Sequence, residues 1–219
     1  MPFRDRLEAG ERLAKALARF ARARPIVLAI PRGGVPVGDV VARHLGAPLD
    51  LVLARKLRVP FQPELALGAV AEGEPPVVVW NKDIVAYAAL GADALEREVN
   101  LERMEIARRR QLYLRGAVPL ALKGRLVLLV DDGIATGATT LAAIGAVRRK
   151  RPVKLVLAVP VAPTEALPRM RLEVDELVCL EDYAFFGSIG AYYADFRPVT
   201  DDEVVALLER GRQPASIRA

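Results

Sequence analysis

Apolar residues along the chain fall into two patterns. Nearly unbroken runs at 26–30, 49–53, 126–130, 154–159 and 176–180 are too short for helices and rich in branched side chains, which predicts strands buried on both faces of a parallel sheet. Between them the apolar positions recur at helical spacing. Leu7, Leu13, Leu17 and Phe20 alternate with charged residues over 4–23 and predict an amphipathic helix that Pro25 ends. Further helices are predicted up to about Leu45, over 138–149, over 163–169, and from the capping box Thr200-Asp-Asp-Glu203 to about Arg210.

The stretch 57–123 is longer than a strand-to-helix connection needs. It predicts a hairpin of 65–71 and 76–80 around Glu72-Gly73-Glu74-Pro75, a short helix from Lys82 and a longer one over 93–114. Nine charged residues crowd 96–110, so that helix is expected to be largely exposed, with Arg108, Arg109 and Arg110 on its solvated face. The expected architecture is one α/β domain: a mostly parallel twisted sheet of about five strands flanked by helices, with a hairpin-helix insertion.

Composition narrows this little. The 219 residues are 53% hydrophobic and 27% charged, and no apolar run approaches the ~18 residues of a membrane span. No apolar signal core follows the N-terminal Met-Pro-Phe-Arg-Asp-Arg, and Cys179 is the single cysteine, so a cytoplasmic protein is expected. The net charge of +5 is spread along the chain, which argues against a nucleic-acid-binding arm and is compatible with a phosphate-rich substrate. Arg outnumbers Lys while Asn, Gln, Cys and Met are scarce, as in thermophile proteins and in GC-rich genomes. One histidine, His44, near a helix C-terminus, and one cysteine leave no basis for a protein-only zinc site.

The chemistry concentrates where the run 126–130 ends. Asp131 and Asp132 are followed by Gly133, Ile134, Ala135, Thr136, Gly137, Ala138, Thr139 and Thr140, and then by the helix-forming stretch. A strand, a small-residue loop and a helix start let consecutive backbone N–H groups approach a phosphate, with hydroxyls adding donors. Two acids beside a phosphate need partners of their own, and sugar hydroxyls or a divalent cation supply them. A phosphorylated ribose satisfies both halves. The loop lacks the G-x-x-x-x-G-K spacing of a nucleotide P-loop, and no G-x-G-x-x-G occurs in the chain.

Val-Asp-Asp-Gly-Ile-Ala-Thr-Gly-Ala-Thr, residues 130–139, resembles the phosphoribosyl pyrophosphate motif of the type I phosphoribosyltransferases. The resemblance implies an enzyme that moves a 5-phosphoribosyl group to a ring nitrogen and releases pyrophosphate. It implies that 133–140 hold the 5-phosphate, that Asp131 and Asp132 bind the ribose hydroxyls at the reacting carbon, and that Mg2+ arrives on the substrate. A non-catalytic regulator that senses the same ligand uses the same fold.

Pro31-Arg32-Gly33-Gly34 follows the run 26–30 and precedes a helix, which is either a second anion loop or a tight turn. The resemblance assigns this loop, Arg32, Gly33 and Gly34 included, to pyrophosphate, with a non-proline cis bond before the glycines. Arg55 and Lys56 end the run 49–53 as pyrophosphate ligands or as a solvated strand exit. Six of the twelve aromatic residues fall within 183–196, among them Phe185, Phe186, Tyr192, Tyr193 and Phe196. These suit a homodimer patch, a core edge or, as the resemblance implies for a C-terminal hood over 181–199, a stacking platform for a nitrogen heterocycle.

Overall fold

The computed structural model describes residues 3–212. Its centre is a parallel sheet of five strands: β1 (Ile26–Ala29), β2 (Leu49–Leu51), β6 (Leu126–Val130), β7 (Lys154–Pro163) and β8 (Glu176–Tyr183), in the order β2-β1-β6-β7-β8. Three further strands, β3 (Ala54–Val59), β4 (Gln62–Ala71) and β5 (Val77–Trp80), form a separate antiparallel sheet. Helices α1 (Arg6–Leu17), α2 (Gly34–Leu45), α3 (Lys82–Ala88), α4 (Ala92–Leu114), α5 (Ala138–Arg149), α6 (Leu167–Glu173) and α7 (Asp201–Arg212) complete the chain.

Both faces of the parallel sheet are covered, which is why its strands are continuous apolar runs. Leu13 and Leu17 of α1, Val37 and Val41 of α2, Tyr113 of α4 and Leu208 of α7 fill one face against Val27, Leu128 and Val156. Leu141 and Ile144 of α5 and Met170 of α6 fill the other against Leu28, Leu129 and Leu157. Among the described residues no helix is long and apolar enough to cross a membrane.

Several boundaries differ from those the sequence suggests, each for a local reason. The first helix tightens into a 3-10 stretch over Ala18–Ala23 and closes at Arg24, whose φ of 48° departs from helical geometry just before Pro25. Arg55 and Lys56 do not end the second parallel strand but lie within β3, which pairs Ala54 with Ala71 and makes the insertion three-stranded. β7 and β8 run on to the pair Pro163↔Tyr183, beyond the ends of their neighbours. The capping box forms as expected, with the Glu203 N–H donating to Thr200 Oγ1 at 3.2 Å and the Thr200 N–H to Glu203 Oε2 at 2.8 Å.

The strand order sets the site. From β1 the sheet grows one way to β2 and the other way to β6, so the chain changes direction between β1 and β6. Ligands of open parallel sheets sit at the carboxyl ends of the strands at such a point. The loops following β1 and β6 are the two glycine-containing loops read from the sequence.

Candidate active site

The β6 loop is built as a backbone donor array. The Ile134 N–H donates to the Val161 carbonyl at 2.9 Å on the extended part of β7, and the Ile134 side chain is buried, so this residue anchors the loop and does not face a ligand. Gly137 turns the chain into α5 at φ 79°, a left-handed conformation suited to glycine, and a Cβ there would lie 2.3 Å from Met170 Cε. Between these anchors the N–H groups of Ala135, Thr136 and Gly137 find no acceptor among the described residues. The hydroxyls of Thr136, Thr139 and Thr140 likewise make no hydrogen bond there. Helix α5 begins at Ala138 and adds its unpaired first-turn donors and dipole.

The two acids differ. Asp131 lines the cleft and is half-buried, and its Oδ1 accepts from the Asp132 N–H at 2.9 Å. It has no ion-pair partner among the described residues, and burial together with the Asp132 charge pushes its carboxyl well above the usual range. Asp132 is buried and receives Arg6 Nε at 2.8 Å. Burial raises its carboxyl as well, and the Arg6 guanidinium opposes that rise.

Loop and acids open into one cleft of about 180 Å3, lined also by Pro31, Gly33, Lys56 and Ile189. The Pro31–Arg32 peptide bond is cis. A Cβ on Gly33 would lie 1.9 Å from Asp132 Oδ2, and one on Gly34 would lie 2.9 Å from the Asp131 Cα, so the two loops interlock through these glycines. A second cavity of about 580 Å3, bounded by Trp80, Asn81 and Arg169, shares Lys56 and Thr136 with the cleft.

The structure thus gathers Asp131, Asp132, Gly133, Ala135, Thr136, Gly137, Thr139, Thr140, Gly33 and Lys56 around one opening. Ala138, at the start of α5, borders the adjoining cavity. It sets others apart. Arg55 is tied to Glu102 of α4, with Nε 2.6 Å from Oε2, because alternation along β3 turns it away from the side Lys56 occupies. The Arg32 guanidinium leans on Asp201, 3.5 Å away at the start of α7, and Arg32 does not line the cleft, although Pro31 and Gly33 beside it do. Asp201 also accepts from the Tyr113 hydroxyl at 2.6 Å.

None of the five aromatic residues expected to receive a heterocycle lines the cleft. Tyr193 is buried against Phe3 and Phe196, and its hydroxyl donates to the Asp132 carbonyl at 2.6 Å. Phe186 stacks on Tyr192 at 4.7 Å between ring centroids. Phe185 is 96% exposed. From this segment only Ile189 reaches the opening. Aromatic side chains clustered in sequence satisfied one another, which a one-dimensional count does not reveal.

Two residues of the site carry no local signal. Arg6 is one arginine among many in an amphipathic helix, and Ile189 is an ordinary aliphatic residue in a loop. Both are identified only by where the fold brings them.

Known proteins resemble this chain in sequence and fold. The family model described as "Phosphoribosyl transferase domain" matches residues 4–196. A Mycobacterium tuberculosis H37Rv protein named "Putative phosphoribosyl transferase Rv0571c" is 45% identical over 211 residues, covering 96% of this chain and 47% of that protein. The chain spans about half the length of the curated relatives it matches. The crystal structure of TT1426 from Thermus thermophilus is 46% identical with a TM-score of 0.79, covering 96% of this chain and 99% of that one. With the motif of residues 130–139, the parallel sheet and a family match running across nearly the whole core, this chain belongs to the type I phosphoribosyltransferase family.

Proposed function

We propose that the protein transfers the 5-phosphoribosyl group of phosphoribosyl pyrophosphate to a ring nitrogen of a small heterocycle. The observation that carries this reading is the row of unpaired N–H groups at Ala135, Thr136 and Gly137, which opens into the same cleft as Asp131 and the Gly33 loop. In this reading the N–H row and the threonine hydroxyls hold the 5-phosphate, and α5 supports it with its dipole. The acids of the pair hold the ribose at the anomeric carbon. Lys56 and the backbone at Gly33 receive the pyrophosphate, while the Gly34 N–H is taken by the Ile30 carbonyl at 3.1 Å.

The bond from the anomeric carbon to the pyrophosphate oxygen breaks, its electron pair leaving with pyrophosphate, and the ring nitrogen's lone pair then bonds to the opposite face, a proton carried by that nitrogen passing to solvent. The carbon passes through an oxocarbenium-like state. The protein's contribution is to position both partners and to keep negative charge beneath that carbon.

Mg2+ fits the donor set: Arg6 balances Asp132, while Asp131 is an oxygen donor with no cation beside it among the described residues. In this reading the ion travels with the diphosphate and keeps most of its waters. Such an ion supplies charge neutralisation of the leaving group when bound.

The test is release of pyrophosphate from phosphoribosyl pyrophosphate with a panel of purines, pyrimidines and other nitrogen heterocycles, with and without Mg2+. Magnesium-dependent release with one acceptor is the expected result. Binding by calorimetry with no turnover on any acceptor supports a ligand-sensing regulator instead, and no binding at millimolar ligand refutes both.

A further inference from the structure

Asp132 is held from three directions. Arg6, near the start of α1, places Nε 2.8 Å from Asp132 Oδ2, and both side chains are about nine-tenths buried. The Arg6 Nη1 donates to the Arg197 carbonyl at 2.8 Å, and its guanidinium carbon lies 3.8 Å over the Phe196 ring. Phe196 packs on Tyr193 at 5.0 Å, and the Tyr193 hydroxyl closes the circuit on the Asp132 carbonyl. The third contact is Gly33, whose missing Cβ leaves room for Oδ2.

Arg6 itself does not face the cleft. It borders a separate groove of about 430 Å3 between α1 and α7, with Asp195, Arg197 and Glu203. A guanidinium with one edge on a carboxylate, another on a carbonyl and its face on a ring is pinned, and it reaches a ligand only through Asp132.

We propose that Arg6 is a positioning residue that divides the acid pair: it locks Asp132 against the Gly33 loop and leaves Asp131 as the acid presented to the ribose. Tyr193 and Phe196 serve this clamp and not the acceptor ring. The N-terminal helix, both anion loops and the hood are thereby joined at one carboxylate. Two ionised acids on adjacent residues repel each other and the phosphates beside them, and one cation placed behind the pair cancels the charge of the acid it contacts and fixes that carboxylate in place. The role rests on the phosphoribosyl reading given above.

A double-mutant cycle on the full chain tests it. Phosphoribosyl pyrophosphate with Mg2+ is titrated by calorimetry into the wild type, Arg6→Met, Asp132→Asn and the double variant, with thermal melting in parallel. Removing one member of a buried pair disturbs the other, so Arg6→Met is expected to weaken binding by about tenfold or more. In the Asp132→Asn background the same change is expected to cost less than about twofold, because the effect passes through that carboxylate. Arg6→Lys, which keeps the charge and loses the second donor and the stacking, is expected to lose about threefold and carries the cycle if the methionine variant does not fold.

A lowered melting temperature with wild-type affinity overturns the inference, since Arg6 is then packing alone. An undiminished loss in the Asp132→Asn background also overturns it, since Arg6 then contacts the ligand directly. If the wild type itself fails to bind, the phosphoribosyl reading falls and the ribose-positioning role falls with it. Those three results are distinct in the same titration.

Discussion

The loop from Asp131 to Gly137 and the aromatic segment from Tyr183 to Phe196 handle their polar groups in opposite ways. In the loop one residue anchors and its neighbours are left unpaired: the Ile134 N–H goes to Val161, while the N–H groups of Ala135, Thr136 and Gly137, which line the cleft, have no acceptor among the described residues. In the aromatic segment nearly every group finds an internal partner. Tyr193 donates to Asp132, Tyr192 donates to the Phe185 carbonyl, and Tyr183 donates to Glu181. Unpaired donors held on a rigid frame are costly unless a ligand takes them, whereas satisfied groups stabilise the fold without one. The difference separates a candidate binding surface from its buttress.

The largest effect that would break this contrast is expected at Gly33. Gly33→Ala places a methyl carbon on the Asp132 carboxylate and forces it off Arg6, so the unfolding free energy is expected to fall by about 3 kcal/mol, the scale of a broken buried ion pair. Affinity for phosphoribosyl pyrophosphate should fall with it. Gly187→Ala, in the aromatic segment with nothing near its would-be Cβ, should stay within ~0.5 kcal/mol of the wild type. Urea denaturation of the two variants side by side measures the difference. Equal effects would erase the distinction.

Next in size is Asp131→Asn. Burial and the Asp132 charge raise the Asp131 carboxyl in the folded state above its unfolded value, so the native protein holds that proton more tightly. Its stability therefore falls as pH rises from the unfolded pKa through the folded one, by about 1.4 kcal/mol for each unit of elevation. Asparagine removes the charge and keeps an oxygen for the Asp132 N–H. Without ligand, the variant is expected to melt above the wild type at pH 8, and the gap should close as pH approaches 4. With ligand it should bind more weakly, by the ~1.5–3 kcal/mol of a charged hydrogen bond. Melting curves across pH and calorimetry check the two halves separately.

A smaller effect is expected within the buttress. Tyr193→Phe removes one buried hydrogen bond to the Asp132 carbonyl and should cost ~1 kcal/mol of stability. Phe185→Ser, on a side chain almost wholly in solvent, should change neither stability nor ligand affinity measurably. A large loss of acceptor turnover in the Phe185 variant would return the segment to a substrate role.

The smallest effect concerns Cys179 on β8. Burial pushes its thiol up to about 11, and its Sγ lies 3.2 Å from the Glu181 carbonyl oxygen. Little thiolate exists at pH 8, so the native protein should react slowly with iodoacetamide and the unfolded chain readily. Mass spectrometry of both states reads this out.

Much of the site's first loop is legible in residue order because its chemistry is local. Strand, acids, small residues, hydroxyls and helix start are consecutive, and the backbone donors that matter belong to residues chosen for having little side chain. The same holds for the parallel strands and the Thr200 cap, each decided within a few residues. What residue order left open was pairing at a distance. Arg55 and Lys56 are adjacent and equally basic, yet the pleat of β3 sends one to Glu102 and the other to the cleft. Asp131 and Asp132 are adjacent and equally acidic, yet α1, arriving from the far end of the chain, gives a cation to only one of them. Local geometry follows from short-range sterics and hydrogen bonding and so travels with the sequence. Which charge meets which partner depends on contacts up to 171 residues apart, and only packing in three dimensions assigns them.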